Sequence, residues 1–146
     1  MASKHPVHPQ HQERVLIFQG LFMMDVGSLE VKDALTSLRE MTTTSASYER
    51  IEKQLLAIEQ RLPEIDALIG CHTQNWSFNR LARVERNVLR LGTFELLVNI
   101  EPFQIIISEA VDLAKEFADD KSGGFVNGVL DAVWRTVSPV GETVAE

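Results

Sequence analysis

Apolar residues recur every three or four positions along most of the chain, which is the spacing of one face of an α-helix. The pattern runs from Glu13 to Asp25, with Gly27 as a stop, and resumes at Ser28. The hydroxyl-rich residues 42–45 then interrupt it, because they have poor helix propensity. No segment sustains the two-residue alternation of a half-buried strand, so the sequence predicts helices throughout.

Local signals place the later helix boundaries. Ser47 is predicted to cap a third helix, and Ser122 to cap the last one. Pro63 either breaks the third helix or opens the next, and Pro102 is predicted to begin a sixth. We therefore predict an all-α fold, a compact bundle of about six or seven helices.

The two ends of the chain differ from the rest. Residues 1–12 hold three of the four histidines and two prolines, with almost nothing to bury, and are predicted to form a flexible N-terminal arm. Residues 138–146 are predicted to be a flexible acidic tail. The helical domain is expected to span residues 13–137.

The charge balance limits the kinds of partner that the protein can bind. Among 146 residues, 14 are Lys or Arg and 21 are Asp or Glu, which gives a net charge of −7. Non-specific nucleic-acid binding depends on neutralising phosphates, so such binding would need a local basic patch or a partner. A single cysteine, and no apolar run long enough for a membrane span or a secretory signal, favour a cytoplasmic protein.

Catalytic and metal-binding motifs are absent from the sequence. There is no Walker loop, no GxGxxG, no GxSxG and no HExxH. Cys71 and His72 are adjacent, so on a helix they point about 100° apart and are not expected to pair. His5, His8 and His11 are spaced by three, but the prolines between them prevent the helix that would align them. We expect no enzymatic activity, no cofactor and no metal.

The segment 79–98 has two distinct faces. One is apolar, and its neighbour carries four arginines: Arg80, Arg83, Arg86 and Arg90. This arginine face has three interpretations, which are a solvated surface, a contact with an acidic partner and a contact with RNA.

Three segments carry specific motifs: residues 81–91 read LARVERNVLRL, residues 108–117 read SEAVDLAKEF and residues 119–131 read DDKSGGFVNGVLD. They resemble motifs of the NusB family, bacterial transcription antitermination factors. The last block is the most specific of the three. Together with Arg14, Gln19 and Phe22 near the N-terminus, the resemblance covers most of residues 14–135.

The resemblance implies both a fold and a function. It implies two small helical subdomains and a protein that is not an enzyme. Members of the family bind boxA-type RNA of ribosomal RNA leader transcripts together with NusE, a small-subunit ribosomal protein. The pair joins an antitermination complex on RNA polymerase. Such proteins occur as monomers and as dimers, so a homodimer is one expected form.

Site residues follow from the matching positions. The RNA-binding candidates are Arg14, Gln19, Phe117, Lys121, Ser122 and Phe125, and the NusE-binding candidates are Phe22 and Glu85. A helix that begins at residues 122–124 would offer free N–H groups to a phosphate. The rings of Phe117 and Phe125 would stack on bases. The alternative is that both rings belong to the core and that the glycines only make a turn.

The N-terminal stretch departs from the family pattern. The family has a run of arginines just before the first helix, whereas residues 10–14 read QHQER and keep only Arg14. Glu13 is expected to add a repelling charge. RNA affinity is therefore predicted to be weaker than the family pattern implies. The alternative function is a protein-interaction module of the same fold with weak or lost RNA binding.

Overall fold

The computed structural model describes residues 11–42, 44–73 and 81–138. This part of the chain contains seven α-helices and no strand, which confirms the predicted all-α fold. The helices are α1 (His11–Gly27), α2 (Val31–Arg39), α3 (Ser45–Gln60), α4 (Leu62–Cys71), α5 (Arg83–Val98), α6 (Phe103–Phe117) and α7 (Asp120–Val137). The chain divides into two units, Met1–Gln60 and Arg61–Glu146, in agreement with the two expected subdomains.

The predicted arm and tail lie mostly outside the described residues, as do His5, His8 and Arg80. The first helix begins at His11, two residues before the predicted Glu13. The last helix ends at Val137, the residue that we predicted as the end of the helical domain.

The first unit contains α1, α2 and α3, which pack against one another. Their apolar faces enclose Ile17, Leu38, Ile51 and Leu55, each 2% exposed or less. Gly20 allows the close approach, since a Cβ there would lie 3.0 Å from Leu55 Cδ1 and 3.1 Å from Leu38 Cδ1. Burial of each large aliphatic side chain contributes about 1.5–3 kcal/mol to stability.

The second unit is arranged around α5. Helices α6 and α7 pack against each other and against α5, and α4 packs against α5. Val126, Val129 and Leu130 on α7 belong to the core of this unit and are each 5% exposed or less. Gly92 on α5 lets α7 pack tightly, because a Cβ there would lie only 2.7 Å from Leu130 Cδ1.

Two helix caps differ from the prediction. The N–H of Ser47 donates to Thr44 Oγ1 at 3.0 Å, so Thr44 caps α3. The N–H of Ser122 donates to Asp119 Oδ1 at 2.8 Å, so Asp119 caps α7. Both predicted caps were therefore wrong by three residues. A capping side chain accepts a hydrogen bond from the N–H two or three residues further along the chain. Thr44 and Ser47 are three residues apart, as are Asp119 and Ser122, and all four are polar. The sequence therefore does not show which residue of each pair is the cap.

The prolines fall at helix beginnings. Pro63 lies in the first turn of α4, so it opens that helix rather than breaking α3. Pro102 is the N-cap of α6, one residue before the helix starts. Within the described part of the chain, no helix combines the length and apolar character that crossing a bilayer requires.

Candidate nucleic-acid interface

The beginning of α7 holds three of the predicted RNA-binding residues, Lys121, Ser122 and Phe125. Asp119 satisfies the backbone here, because its carboxylate accepts from Ser122 N–H and its carbonyl oxygen accepts from Gly123 N–H at 3.1 Å. The expectation that these N–H groups are free for a phosphate was therefore wrong for residues 122 and 123. Sequence reasoning missed Asp119, although aspartate is one of the preferred N-cap residues.

One face of α7 is open to solvent. Lys121 is exposed and Phe125 is half-buried, and the two are four positions apart, about one helical turn, so both lie on this face. Gly124 and Gly128 lie beside them, and a Cβ at either position would meet no atom within 4 Å. We call these four residues the Lys121 face. It offers an ammonium group, part of an aromatic ring and exposed backbone.

The two phenylalanines are neither sealed in the core nor fully exposed. Phe117, the last residue of α6, and Phe125 are both half-buried. Each ring is therefore partly accessible, which is what stacking on an unpaired base requires. Phe117 already takes part in an interaction within the protein.

Ser122 and Glu85 are hydrogen-bonded to each other. The Ser122 hydroxyl donates to Glu85 Oε2 at 2.7 Å, although the two residues lie 37 positions apart. Glu85 is in the first turn of α5, and Ser122 is 8% exposed. The bond joins a predicted NusE-binding residue to a predicted RNA-binding residue, so the candidate protein and RNA contacts meet within the second unit.

The remaining candidates lie on α1. Arg14 is 4% exposed and takes part in an interaction within the protein, whereas Gln19 is half-buried. Phe22 is also half-buried, and its ring centre lies 6.0 Å from that of Phe18. The roles of these three candidates stay predictions. Burial makes Arg14 less able than Gln19 to reach a ligand.

Glu13 does not present a free charge to RNA. Its carboxylate accepts from Arg50 Nε at 3.0 Å and from the Ser47 hydroxyl at 2.6 Å, and Arg50 Nη2 donates as well. Burial raises the pKa of Glu13, but the hydrogen bonds from Arg50 and Ser47 and the charge of Arg50 outweigh it, so the pKa is lowered. No sequence pattern indicated this pair, because Arg50 lies 37 residues away, and a neutralised Glu13 repels a phosphate less than an isolated carboxylate does.

The arginine face of α5 is only partly a solvated surface. Arg83 is exposed, but Arg86 is 9% exposed and takes part in an interaction within the protein. Arg90 donates from Nε and Nη2 to the two carboxylate oxygens of Asp66 on α4, both at 2.9 Å. It also donates to Asn87 Oδ1 at 3.1 Å. Arg90 therefore fastens α4 to α5, and of the described arginines on this face Arg83 is the most accessible to a partner.

The adjacent Cys71 and His72 show no catalytic arrangement with each other. Cys71 is exposed, and His72 Nε2 lies 3.0 Å from the hydroxyl oxygen of Thr136 on α7. Among the described residues, no group of three or more His, Cys, Asp or Glu side chains is placed to hold a metal ion.

Comparisons with known proteins identify the family. A model described as the NusB family matches residues 11–135. The transcription antitermination protein NusB of an Exiguobacterium species is 39% identical over 122 residues, covering 83% of this chain and 93% of that protein. The protein of the same name from Anaeromyxobacter dehalogenans is 35% identical over 136 residues, covering 88% and 90%.

Solved structures agree with these relatives. T. maritima NusB superimposes with a TM-score of 0.83 at 34% identity, covering 90% of this chain and 94% of that one. A chain from a crystal structure of the antitermination factors NusB and NusE with double-stranded RNA gives a TM-score of 0.79 at 32% identity, covering 86% and 96%. The relatives are named for transcription antitermination and not for a catalysed reaction. The chain therefore belongs to the NusB family of transcription antitermination proteins.

Proposed function

We propose that the protein is a transcription antitermination factor that binds boxA-type single-stranded RNA together with the ribosomal protein NusE. In the cytoplasm, this pair joins an antitermination complex on RNA polymerase at ribosomal RNA operons. Family membership supports the proposal, as does the likeness to a NusB chain that was crystallised with NusE and RNA.

The observation that carries the proposal is the hydrogen bond between Ser122 and Glu85 next to the Lys121 face. Lys121 supplies a charge for a phosphate, and the accessible part of Phe125 supplies a surface on which a base stacks. Base–aromatic stacking is worth about 1–3 kcal/mol per base, and it tolerates different bases. Gly124 and Gly128 leave room for the strand to approach the helix backbone.

Glu85 supports the NusE contact in the same proposal. One of its carboxylate oxygens accepts from Ser122, and a carboxylate has further acceptor sites for a basic partner side chain. Phe22 on α1 supplies an apolar contact, because its ring is half-buried rather than enclosed. A partner that binds these residues would have to be basic where it meets Glu85.

A binding titration tests the proposal. Fluorescence anisotropy of a labelled boxA-like single-stranded RNA is measured with the protein, with NusE and with both, at low and at moderate salt. We expect a ternary complex that weakens as salt rises, and Lys121→Glu should weaken it strongly without unfolding the protein. Lys53→Glu is the matched control, since Lys53 is an exposed lysine on α3.

Two further measurements extend this experiment. A double-stranded RNA of the same sequence shows which form the protein prefers, and light scattering shows whether the free protein is a monomer or a dimer. Absence of a ternary complex at low salt would contradict the proposed function.

The second candidate function is a protein-interaction module with weak or lost RNA binding. The net charge of −7 and the 4% exposure of Arg14 favour it, because the remaining basic residue of the N-terminal stretch is mostly buried. This function predicts that NusE association survives ribonuclease treatment and is unchanged by Lys121→Glu. RNA binding that falls on Lys121→Glu would exclude it.

A further inference from the structure

Lys115, in the last turn of α6, lies across the first turn of α7. A Cβ on Gly123 would lie 2.8 Å from Lys115 Cγ and 3.1 Å from Lys115 Cε. The lysine side chain therefore runs over the surface that this glycine leaves bare. Any other residue at position 123 would push the side chain away, because Cβ atoms in proteins do not approach other atoms that closely.

The ammonium group of Lys115 is available to a ligand. Lys115 is exposed, and none of the ion pairs within residues 11–42, 44–73 and 81–138 involves Lys115 or Lys121. Lys121 precedes Gly123 by two residues, so it points about 200° away from it around the helix. The two lysines thus flank the beginning of α7 on different sides.

The acidic residues nearby make these two charges important. Asp112 on α6 and Asp120 on α7 are exposed, and their carboxylates repel a phosphate. The carboxylate of Asp119 is occupied in capping α7. An RNA strand that crosses the beginning of α7 therefore needs cations on both sides of this turn to offset the repulsion.

We propose that Lys115 is a second phosphate-binding residue of the RNA surface and that Gly123 is what places it there. The proposal rests on the proposed function, since it concerns the RNA that the Lys121 face would bind. Lys115 contacts the strand on the α6 side of the helix beginning, and Lys121 contacts it on the other side.

Salt dependence of binding is the measurement that separates a charge contact from a structural effect. The probe is the labelled boxA-like single-stranded RNA, titrated with the full-length protein and NusE at several salt concentrations. Each phosphate contact contributes about 0.7 to the slope of log affinity against log salt for a single strand. Lys115→Gln should lower the slope by about that amount. The loss of affinity that it causes should therefore be about fivefold larger at 0.1 M salt than at 1 M salt.

A second variant tests the role of the glycine. Gly123→Ala keeps every charge but displaces the Lys115 side chain, and alanine favours a helix more than glycine does. We expect RNA binding to weaken as in Lys115→Gln, whereas circular dichroism shows the same helical fold and the thermal midpoint falls somewhat, because Lys115 Cγ has to move. Lys53→Gln should change neither quantity. Lys115→Gln by itself still tests the lysine if Gly123→Ala does not fold.

The outcomes separate this inference from the function on which it rests. If the unmodified protein with NusE binds no RNA, the proposed function fails and takes this inference with it. If it binds RNA, and Lys121→Gln lowers the salt slope while Lys115→Gln does not, only the inference about Lys115 is overturned.

Discussion

The carboxylate of Glu13 on α1 is held by the guanidinium of Arg50 on α3. The Glu13 side chain is 6% exposed and that of Arg50 is 43% exposed, so an almost buried acid is neutralised by a base that reaches it from the surface. Arg50 Nε lies 3.0 Å and 3.1 Å from the two carboxylate oxygens, and the Ser47 hydroxyl adds a third donor. This cluster connects the first and third helices of the first unit.

Removal of Arg50 should therefore destabilise the protein. In Arg50→Met the Glu13 carboxylate stays buried with only Ser47 as a donor, and an uncompensated buried charge is costly. We expect a loss of about 1–3 kcal/mol in the free energy of unfolding, which is moderate because Arg50 itself is partly exposed. Urea unfolding measures it.

A second ion pair provides the control for this prediction. Arg61 and Glu64 form an ion pair at 3.0 Å with 37% and 50% of their side chains exposed. Exposed pairs contribute about 0–1 kcal/mol, so Arg61→Met should cost less than Arg50→Met. Equal losses of unfolding free energy in the two variants would show that burial of Glu13 does not strengthen its ion pair with Arg50.

The same cluster predicts how stability depends on pH. The pKa of Glu13 is lowered from its ordinary value of 4.5, mainly by hydrogen bonds that outweigh the effect of burial. A lowered pKa in the folded state stabilises the protein above the unfolded pKa, and that stability is lost as pH falls through the folded pKa. We expect the free energy of unfolding to decrease below about pH 4.5.

Comparison of two variants assigns this decrease to Glu13. Glu13→Gln should flatten the dependence of unfolding free energy on pH in the acid range, whatever its effect on stability at neutral pH. Glu64, whose pKa is lowered by the hydrogen bond from Arg61, is exposed, so Glu64→Gln should flatten the dependence less. The opposite order would contradict the assignment.

The sequence predicted the helices but not the contacts that join them. Periodicity reports which face of a helix is apolar, so an all-α fold of about six or seven helices could be predicted from it. It carries no information on which charged residues meet across helices. The sequence therefore placed Arg90 on an arginine face without a partner residue. In the structure Arg90 donates a hydrogen bond to Asp66 on α4.

For the candidate site too, the sequence indicated individual residues but not the contacts between them. Motif resemblance placed Glu85 and Ser122 in two separate sets of residues, and nothing in the sequence indicated that they are bonded. The supposed free N–H groups of α7 were wrong because Asp119 caps the helix three residues earlier. The sequence left open whether the glycines after Ser122 only make a turn, whereas in the structure Gly123 lies within α7 and the Lys115 side chain lies against it.

Glycines on helices α5 and α7 should respond to alanine in opposite ways. Gly92→Ala brings a Cβ to 2.7 Å from Leu130 Cδ1, between tightly packed helices, so we expect a loss of about 1–3 kcal/mol. A Cβ at Gly128 meets no atom within 4 Å, so Gly128→Ala should gain up to about 1 kcal/mol from helix propensity. Thermal or urea unfolding of the two variants checks the pair. A loss of stability in Gly128→Ala would show that this face is not open.

Gly128→Ala also tests the Lys121 face. If RNA approaches the backbone there, the added methyl group should weaken RNA binding although the protein becomes more stable. Anisotropy of the labelled RNA measures the binding. Unchanged affinity would place the strand elsewhere on the second unit.

The bond between Ser122 and Glu85 should make NusE binding depend on Ser122, a residue of the RNA-binding candidates. Ser122 fixes the orientation of the Glu85 carboxylate, and a side chain that is already oriented loses less conformational freedom when a partner binds. Ser122→Ala should therefore weaken NusE binding by a few-fold, or about 1 kcal/mol, although the altered residue belongs to the RNA-binding candidates. Calorimetric titration with NusE alone measures this effect.

A double-mutant cycle decides whether the effect passes through Glu85. Glu85→Ala removes both the charge and the acceptor, so Ser122→Ala should have little further effect on NusE affinity in that background. Glu85→Gln keeps an oxygen acceptor for the hydroxyl but removes the charge, and it should weaken binding to a basic partner about as much as Glu85→Ala. If Ser122→Ala weakens NusE binding equally with and without Glu85, the hydrogen bond does not transmit the coupling. Ser122 would then affect NusE binding by a route other than the Glu85 carboxylate.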